Sequence, residues 1–300
     1  MRYGAIDIGS NAIRLLIADI IENGNVVSFK KNTLIRVPLR LGDDAFIDKK
    51  ISPRKSEDLI KTMSAFRNLM DVYKVSEYMA CATSAMREAE NGLTLVEQIK
   101  ETGITLEIID GFNEARIIYN SHIEQQLERK KTYLYIDVGG GSTELSIFNN
   151  GTFIASRSFN LGTIRILDNQ DSEETWIQMK EWVKAQTKVY KGVVGIGTGG
   201  NINKLYRMAD EKGEKPLSFS KLKSIYDYLN SFSLKERINV LGLNNDRADV
   251  IIPACDIFLN IMKWGGIKHL VVPRVGLVDG IIQTLIDKHE SEREKQGLLY

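Results

Sequence analysis

A short acidic turn rich in glycine occurs twice in this 300-residue chain, about 130 positions apart. The first copy runs from Asp7 to Asn11 and the second from Asp137 to Glu144. Glycine lets backbone amides approach an anion closely, and a concave run of amides binds phosphate. An adjoining aspartate can hold a hydrated divalent cation beside that phosphate. The repeat predicts two similar lobes with a phosphorylated ligand between them. The candidate phosphate-binding residues of the turns are Asp7, Gly9, Ser10, Asn11, Gly139, Gly140, Gly141, Ser142 and Thr143.

A second candidate set follows the next predicted strand of the N-terminal half. Thr83 and Ser84 supply hydroxyls and Arg87 supplies a guanidinium, a combination that suits phosphate oxygens. An isolated surface arginine is an equally good interpretation of Arg87. Glu114 stands at the predicted start of a helix, where a carboxylate often serves the helix dipole. If that helix start faces the ligand, Glu114 is instead a candidate general base for a water molecule.

A third glycine-rich segment, Gly195–Gly200, fits the GxGxxG pattern between a predicted strand and a predicted helix. A dinucleotide-binding site would need an acidic residue about 20 positions further on. Residues 218–223 contain none. We therefore interpret Gly199 and Gly200 as part of a phosphate-binding loop that lines the cleft from the second lobe.

Composition excludes several classes of function. The net charge of +1 gives no overall attraction to nucleic acid or to a membrane surface. No apolar run reaches membrane-spanning length, and a strand follows Met1 at once, without a signal peptide. Cys81 and Cys255 lie far apart in apolar surroundings, which is typical of reduced core thiols. These features predict a soluble cytoplasmic protein.

The order of predicted elements also repeats. A meander, a helix, a strand and a helix follow one another from Met1, and the pattern restarts at Tyr133. A long helix predicted over Asn113–Arg129 serves as the crossover. We predict an N-terminal lobe of residues 1–128, completed by a C-terminal helix at 281–300, and a C-terminal lobe of residues 129–280.

Basic residues concentrate between positions 30 and 55. Acidic residues lie among them, so a solvated face is one interpretation, and a track for a polyanion is the other. The three histidines are scattered and have no metal-binding spacing. The basic residues are Lys30, Lys31, Arg36, Arg40, Lys49, Lys50, Arg54 and Lys55.

Together these motifs resemble the exopolyphosphatase / guanosine pentaphosphate phosphohydrolase (Ppx/GppA) family. They occur in family order through nearly the whole chain, and IDxGGGSTE together with ATxAxR is highly specific. The resemblance implies two actin-like (ribonuclease H-like) α/β lobes with an interdomain cleft, in the short two-domain form. The segments that carry it are DIGSN at 7–11, ATSAMREA at 82–89, DGFNEARIIY at 110–119, IDVGGGSTEL at 136–145, LGTIR at 161–165 and GTGG at 197–200.

The resemblance also implies roles for single residues. Glu114 matches the family's catalytic glutamate, proposed to activate water, and Arg87 matches its phosphate-contacting arginine. Asp137 and Glu144 match residues of the second loop and are assigned to the metal. Members of the family typically need Mg²⁺ and often dimerise.

Two positions depart from the family pattern. Asn113 precedes Glu114 where the family usually has two adjacent glutamates. Gly276–Gly280 reads GLVDG and loses the Arg-Glu pair of the family's GxREG pattern. The second departure puts contacts from this segment in doubt, whereas the chemistry predicted for the cleft is retained.

The function that these observations predict is that of an exopolyphosphatase. Such an enzyme hydrolyses the terminal phosphoanhydride of inorganic polyphosphate and releases orthophosphate, here as a Mg²⁺-assisted homodimer. Removal of the 5′ phosphate of guanosine pentaphosphate is an alternative that uses the same machinery. A polyphosphate- or nucleotide-binding sensor with little turnover is another, motivated by Asn113 and by Val278–Asp279.

Overall fold

The computed structural model describes residues 1–23, 26–121, 128, 130–209 and 215–295. Contacts divide the chain into two compact units. Unit 1 comprises Met1–His122 with Gly276–Tyr300, and unit 2 comprises Ile123–Val275. These bounds lie a few residues from the lobe boundaries given by the sequence. Each unit contains one mixed β-sheet.

Unit 1 begins with an antiparallel meander and continues with parallel strands. Its strands are β1 (Arg2–Ile8), β2 (Ile13–Asn23), β3 (Val26–Val37), β4 (Glu77–Ala82) and β5 (Glu107–Ile108). Its helices before the C-terminal segment are α1 (Leu41–Ile47), α2 (Pro53–Val72), α3 (Ser84–Glu88), α4 (Gly92–Lys100) and α5 (Gly111–Tyr119). The strand order is β3-β2-β1-β4-β5, with β4 parallel to β1 and β5 parallel to β4. The carboxyl ends of β1, β4 and β5 therefore share one edge of the sheet.

Unit 2 repeats this arrangement. Its strands are β6 (Thr132–Val138), β7 (Thr143–Asn149), β8 (Thr152–Phe159), β9 (Val194–Thr198), β10 (Leu217–Ser218) and β11 (His269–Val271). Its helices are α6 (Thr163–Leu167), α7 (Glu173–Thr187), α8 (Gly200–Met208), α9 (Phe219–Asn230), α10 (Leu234–Asn239), α11 (Asn245–Ala248) and α12 (Ile251–Trp264). The strand order is β10-β11-β9-β6-β7-β8, and β9 runs parallel to β6. Helix α12 packs its buried Phe258 into a core that includes Leu134, Ile136 and Leu145.

The last helix, α13 (Leu277–Lys295), belongs to unit 1. It packs against α5, β1 and β4. Ile281 and Ile282 of α13 share a buried cluster with Tyr3, Leu16 and Ile117. Helix α13 thus covers the same face of the sheet as α5.

Each unit combines a meander of antiparallel strands with parallel strands that follow helices. This order is repeated in both units, and the predicted α/β fold class, with two lobes that each contain a mixed sheet flanked by helices, is confirmed. None of the helices in the described part of the chain has the length and apolar character needed to cross a membrane.

The helix predicted over Asn113–Arg129 is too long. Helix α5 ends at Tyr119, and the amide of Asn120 donates to the carbonyl oxygen of Arg116. The hydroxyl of Ser121 then donates to the carbonyl of Ile118 at 2.6 Å, which offers the backbone an alternative to further helix. The remainder of that prediction, at 122–127 and at 129, lies outside the described residues.

Candidate active-site residues

The two glycine turns have the same backbone hydrogen bond. In unit 1 the amide of Gly9 donates to the carbonyl oxygen of Ala12 at 3.2 Å. In unit 2 the amide of Gly139 donates to the carbonyl oxygen of Ser142 at 2.9 Å. Each turn connects two paired antiparallel strands, β1 to β2 and β6 to β7. The repeated sequence pattern therefore folds into a repeated hairpin.

The turn of unit 1 carries an ion pair at its base. Asp7 is 4% exposed, and its carboxylate accepts a hydrogen bond from Nη1 of Arg14 on β2. Arg14 was absent from the sequence-derived candidates. The register of the hairpin places Asp7 directly opposite Arg14, so counting residues across the turn was the signal that could have identified it.

Helix α1 supports the same turn from behind. The amide of Arg40 donates to the carbonyl oxygen of Asn11 at 3.0 Å, and that of Gly42 donates to Ser10 at 2.9 Å. Because a peptide N–H points opposite to the carbonyl of the same peptide plane, the amides after Ser10 and Asn11 face away from α1. That direction suits the binding of an anion at the turn.

The segment after β4 meets this turn. The hydroxyls of Ser10 and Ser84 lie 2.9 Å apart, and the amide of Thr83 donates to the carbonyl oxygen of Ile8 at 3.1 Å. Arg87 lies in α3 rather than in a loop, and its Nη1 donates to the carbonyl oxygen of Ile109 at 2.7 Å. Arg87 is thus held against the start of the next candidate segment, which is unlike an isolated surface arginine.

Glu114 lies in the first turn of α5, which follows β5 at the same edge of the sheet. The side chain of Asp110 caps this helix by accepting the amide of Asn113 at 2.7 Å, and the amide of Glu114 donates to the carbonyl of Asp110 at 2.9 Å. Glu114 is 9% exposed. Glutamate is rarely buried unless it is paired, so the helix dipole alone does not account for this position.

Cys81 lies beneath this edge of unit 1. It faces Asp7 in the register of β4 with β1 and Glu107 in the register of β4 with β5. Burial, together with the nearby carboxylates of Glu107, Asp7 and Glu114, raises the pKa of Cys81 to about 12. The thiol is therefore protonated at neutral pH, which agrees with a core thiol and not with a nucleophile.

Two carboxylates occupy neighbouring positions in unit 2. Asp137 of β6 faces Glu144 of β7, and a carboxylate oxygen of one lies within 4.8 Å of a carboxylate oxygen of the other. Asp137 accepts a hydrogen bond from the Thr198 hydroxyl at 2.7 Å, and Glu144 accepts one from the Ser158 hydroxyl at 2.8 Å. Two oriented carboxylates at this separation fit a divalent cation that prefers oxygen ligands.

The glycine loop after β9 packs on this pair. Gly199 has a φ of +97°, and a Cβ atom built there would lie 2.9 Å from Oδ1 of Asp137. A glycine is required here by both backbone conformation and space. Gly200 begins α8 directly after it. The structure thus brings Gly199 to the carboxylate that the family resemblance assigns to the metal.

The two hydroxyl-bearing candidates of the second turn are buried. Ser142 is 3% exposed and Thr143 is fully buried. The Thr143 hydroxyl donates to the carbonyl oxygen of Leu161 at 2.6 Å, so it ties β7 to the segment before α6. Ser158, Thr198 and the Arg165 described below were absent from the sequence-derived candidates, because their contacts join positions far apart in the chain.

Several residues of the basic stretch pair with acidic residues of unit 1. Lys31 contacts Asp279 at 2.6 Å, and Lys55 contacts Asp44 at 2.7 Å. Arg40 contacts Asp43 at 3.1 Å. Part of the basic stretch therefore forms ion pairs within unit 1.

The fold and the repeated hairpin define an α/β protein of two similar units, each with a glycine-rich turn after its first strand. A family model described as the Ppx/GppA phosphatase family matches residues 33–289. The chain belongs to this family.

Curated relatives agree with that assignment. The chain is 30% identical over 293 residues to a bifunctional 3-dehydroquinate synthase/phosphatase of Fusobacterium nucleatum, covering 89% of this chain and 44% of that protein. It is 25% identical over 308 residues to exopolyphosphatase 1 of Mycobacterium tuberculosis, covering 96% and 89%. The chain therefore spans less than half of the first relative and most of the second.

A solved structure shares the fold. An exopolyphosphatase from Cytophaga hutchinsonii superposes with a TM-score of 0.83 at 25% identity, covering 96% of this chain and 98% of that one. The prediction of an enzyme that hydrolyses phosphoric anhydrides is confirmed at the level of the class.

Proposed function

We propose that this protein is an exopolyphosphatase, which hydrolyses the terminal phosphoanhydride of inorganic polyphosphate and releases orthophosphate. The observation that carries the proposal is the buried Glu114 at the start of α5. It lies at the sheet edge that also holds the first glycine turn and Arg87. Relatives named exopolyphosphatases support the choice of substrate.

In this proposal the glycine turn of each unit binds phosphate groups of the polyphosphate. Their backbone amides donate to non-bridging oxygens, as do the hydroxyls of Ser10, Thr83 and Ser84. Gly199 and Gly200 contribute amides in the same way. The guanidinium of Arg87 stabilises charge on the equatorial oxygens of the phosphoryl group in transfer, which is the dominant requirement of this chemistry.

Glu114 orients a water molecule and accepts its proton as the oxygen attacks the terminal phosphorus in line. The bridging P–O bond breaks, and the shortened polyphosphate leaves as an anion that needs little protonation. Asp137 and Glu144 are the residues that would hold Mg²⁺, and their separation and oxygen donors fit it. When bound there, Mg²⁺ neutralises charge on the phosphate oxygens.

The homodimer and the cytoplasmic location remain proposals that rest on the family resemblance and the composition. Light scattering of the purified chain tests the first of them. A monomer at micromolar concentration would contradict it.

The test of the function compares Mg²⁺-dependent phosphate release from long polyphosphate, tripolyphosphate and guanosine pentaphosphate. We expect release from polyphosphate, and a loss of most of it in Glu114→Gln with unchanged folding. The exposed Glu101 on the same unit gives the matched control, Glu101→Gln, which keeps full activity. Near-normal turnover by Glu114→Gln would show that Glu114 is not the general base. Release from guanosine pentaphosphate alone favours the nucleotide substrate, and tight binding without release favours a sensor.

A further inference from the structure

Helix α6 holds the second glycine turn from behind, through successive carbonyl oxygens. The amide of Thr163 donates to Gly139 at 3.1 Å, and that of Ile164 donates to Gly140 at 2.8 Å. The third carbonyl, that of Gly141, accepts a hydrogen bond from Nε of Arg165 at 2.6 Å. Two of these contacts come from the backbone, and the third comes from a side chain.

These contacts fix the direction of the amides in the turn. In a trans peptide the N–H points opposite to the carbonyl of the same plane. When the carbonyls of Gly139, Gly140 and Gly141 face α6, the amides of Gly140, Gly141 and Ser142 face the other way. Three consecutive amides with one direction form a nest that binds an anion.

The backbone just before α6 packs directly against the backbone of the glycine turn. A Cβ atom built on Gly162, just before α6, would lie 2.3 Å from the carbonyl oxygen of Gly140 and 2.6 Å from the nitrogen of Gly141. Real Cβ contacts are never this short, so the two backbones are in direct contact. Gly162 thus holds the peptide between Gly140 and Gly141 in place, whereas the peptide between Gly141 and Ser142 is held through Arg165.

Arg165 is the part of this support that a substitution can remove. The residue is 5% exposed, and its bond to Gly141 is buried. A charge-assisted bond in such surroundings is stronger than a bond between neutral groups. The contacts of Thr163 and Ile164 use backbone amides and persist in any variant at 165.

We propose that Arg165 is a positioning residue that orients the peptide between Gly141 and Ser142, and thereby the last amide of the phosphate-binding nest. The inference rests on the proposed function, because it takes the turn to be a phosphate site. Arg165 acts through the turn and does not itself touch the reacting atoms. Loss of its guanidinium lets this peptide rotate, so phosphate binding weakens while the fold is kept.

The test measures tripolyphosphate affinity by calorimetry without Mg²⁺, together with thermal unfolding and the KM and kcat for polyphosphate. We expect Arg165→Gln to bind about tenfold more weakly, as for the loss of roughly one hydrogen bond to a charged group. KM should rise by a similar factor, with a smaller change in kcat. Arg165→Lys keeps a donor without the planar fork, and about threefold weaker binding is expected. Arg157, an exposed arginine of β8, provides the control Arg157→Gln.

The outcomes separate the inference from the proposed function. Wild-type affinity in either Arg165 variant, at a melting temperature equal to that of the Arg157 control, overturns the positioning role. If Arg165→Gln does not fold, Arg165→Lys decides alone by the same criterion. A wild-type protein that binds no tripolyphosphate overturns the phosphate site itself. Binding that weakens in the variants without any turnover in the wild type supports the positioning role and contradicts the hydrolase.

Discussion

A Cβ atom built on Gly280 would lie 1.9 Å from the carbonyl oxygen of Ile117. Helices α13 and α5 thus meet backbone to backbone at this point of unit 1. Ile117 follows Glu114 by one helical turn, so the contact also sets where Glu114 lies. The packing of α13 therefore determines the position of the proposed catalytic carboxylate.

We predict that Gly280→Ala lowers both stability and activity. The added methyl forces the helices apart, and overpacking of this kind costs about 1–3 kcal/mol of unfolding free energy. Glu114 moves with α5, so kcat for polyphosphate should fall more than KM changes. Thermal unfolding and phosphate release measure the two effects. Gly276 has no atom near its virtual Cβ, so Gly276→Ala is the control, and an equal response of both variants contradicts the argument.

Asp279, in the segment that departs from the family pattern, is a buried carboxylate that forms an ion pair with the exposed Lys31. Its carboxylate contacts Nζ of Lys31 at 2.6 Å and accepts the amide of Gly276 at 3.0 Å. Burial raises the pKa of Asp279 above its ordinary value, although Lys31 and the amide oppose this. The altered segment thus serves to fix the start of α13 in unit 1.

The raised pKa predicts a pH dependence of stability. A carboxyl whose pKa is higher in the folded state binds its proton more tightly there, so its contribution is present at low pH and is lost as pH rises through the folded pKa. Asp279→Asn removes this titration. Its melting temperature, relative to that of the wild type, should increase as the pH rises from about 4 to 7. A difference that does not change with pH would contradict the assignment.

Ser158 is expected to tune the metal affinity of the proposed Mg²⁺ site. Its hydroxyl donates to Oε1 of Glu144 at 2.8 Å and so orients that carboxylate. Loss of such an outer hydrogen bond typically weakens metal binding by about 10- to 100-fold. We predict that Ser158→Ala raises the Mg²⁺ concentration for half-maximal activity by about tenfold, with kcat at saturating Mg²⁺ largely kept.

Ser146 supplies the matched control for this prediction. Its hydroxyl pairs with that of Ser156 at 3.0 Å across the same two strands, two residues along from the Glu144–Ser158 pair, and does not bond to a carboxylate. Ser146→Ala should therefore leave the Mg²⁺ dependence unchanged. A Mg²⁺ response in Ser158→Ala that matches the wild type would show that Glu144 does not depend on this hydroxyl, or does not bind the metal.

Local features of the fold could be predicted because each depends on a few adjacent residues. Ser52 and Pro53 begin α2 in the way their residue types favour, because Ser52 accepts the amide of Lys55 and Pro53 takes the first helical position. Asn150 and Gly151 turn the β7–β8 hairpin, with φ values of 53° and 77° that suit an Asn-Gly pair. The two glycine turns belong to this category too, since a strand, a glycine turn and a second strand follow one another directly in the sequence.

Contacts between distant positions could not be predicted in this way. Arg165 reaches Gly141 only because α6 returns to the turn, and Thr198 reaches Asp137 only because β9 pairs with β6. Nothing in the sequence around Gly280 distinguishes it from other helical residues. Its close contact with α5 is visible only in the folded structure. The predicted end of α5 was also wrong. Apolar spacing indicates a helix, but it does not show where a polar side chain, here that of Ser121, bonds to a helix carbonyl and favours the end of the helix.

The two cysteines give a test of the core in each unit. Burial raises the pKa of Cys81 to about 12, and burial also raises the pKa of Cys255 in unit 2. Only the thiolate reacts with a disulfide reagent, so neither residue should react in the native protein at pH 8. Both should react within minutes in denaturant, and Cys81→Ser should halve that signal. Rapid reaction of one thiol in the native protein would show that the core around it opens to solvent far more readily than its burial implies.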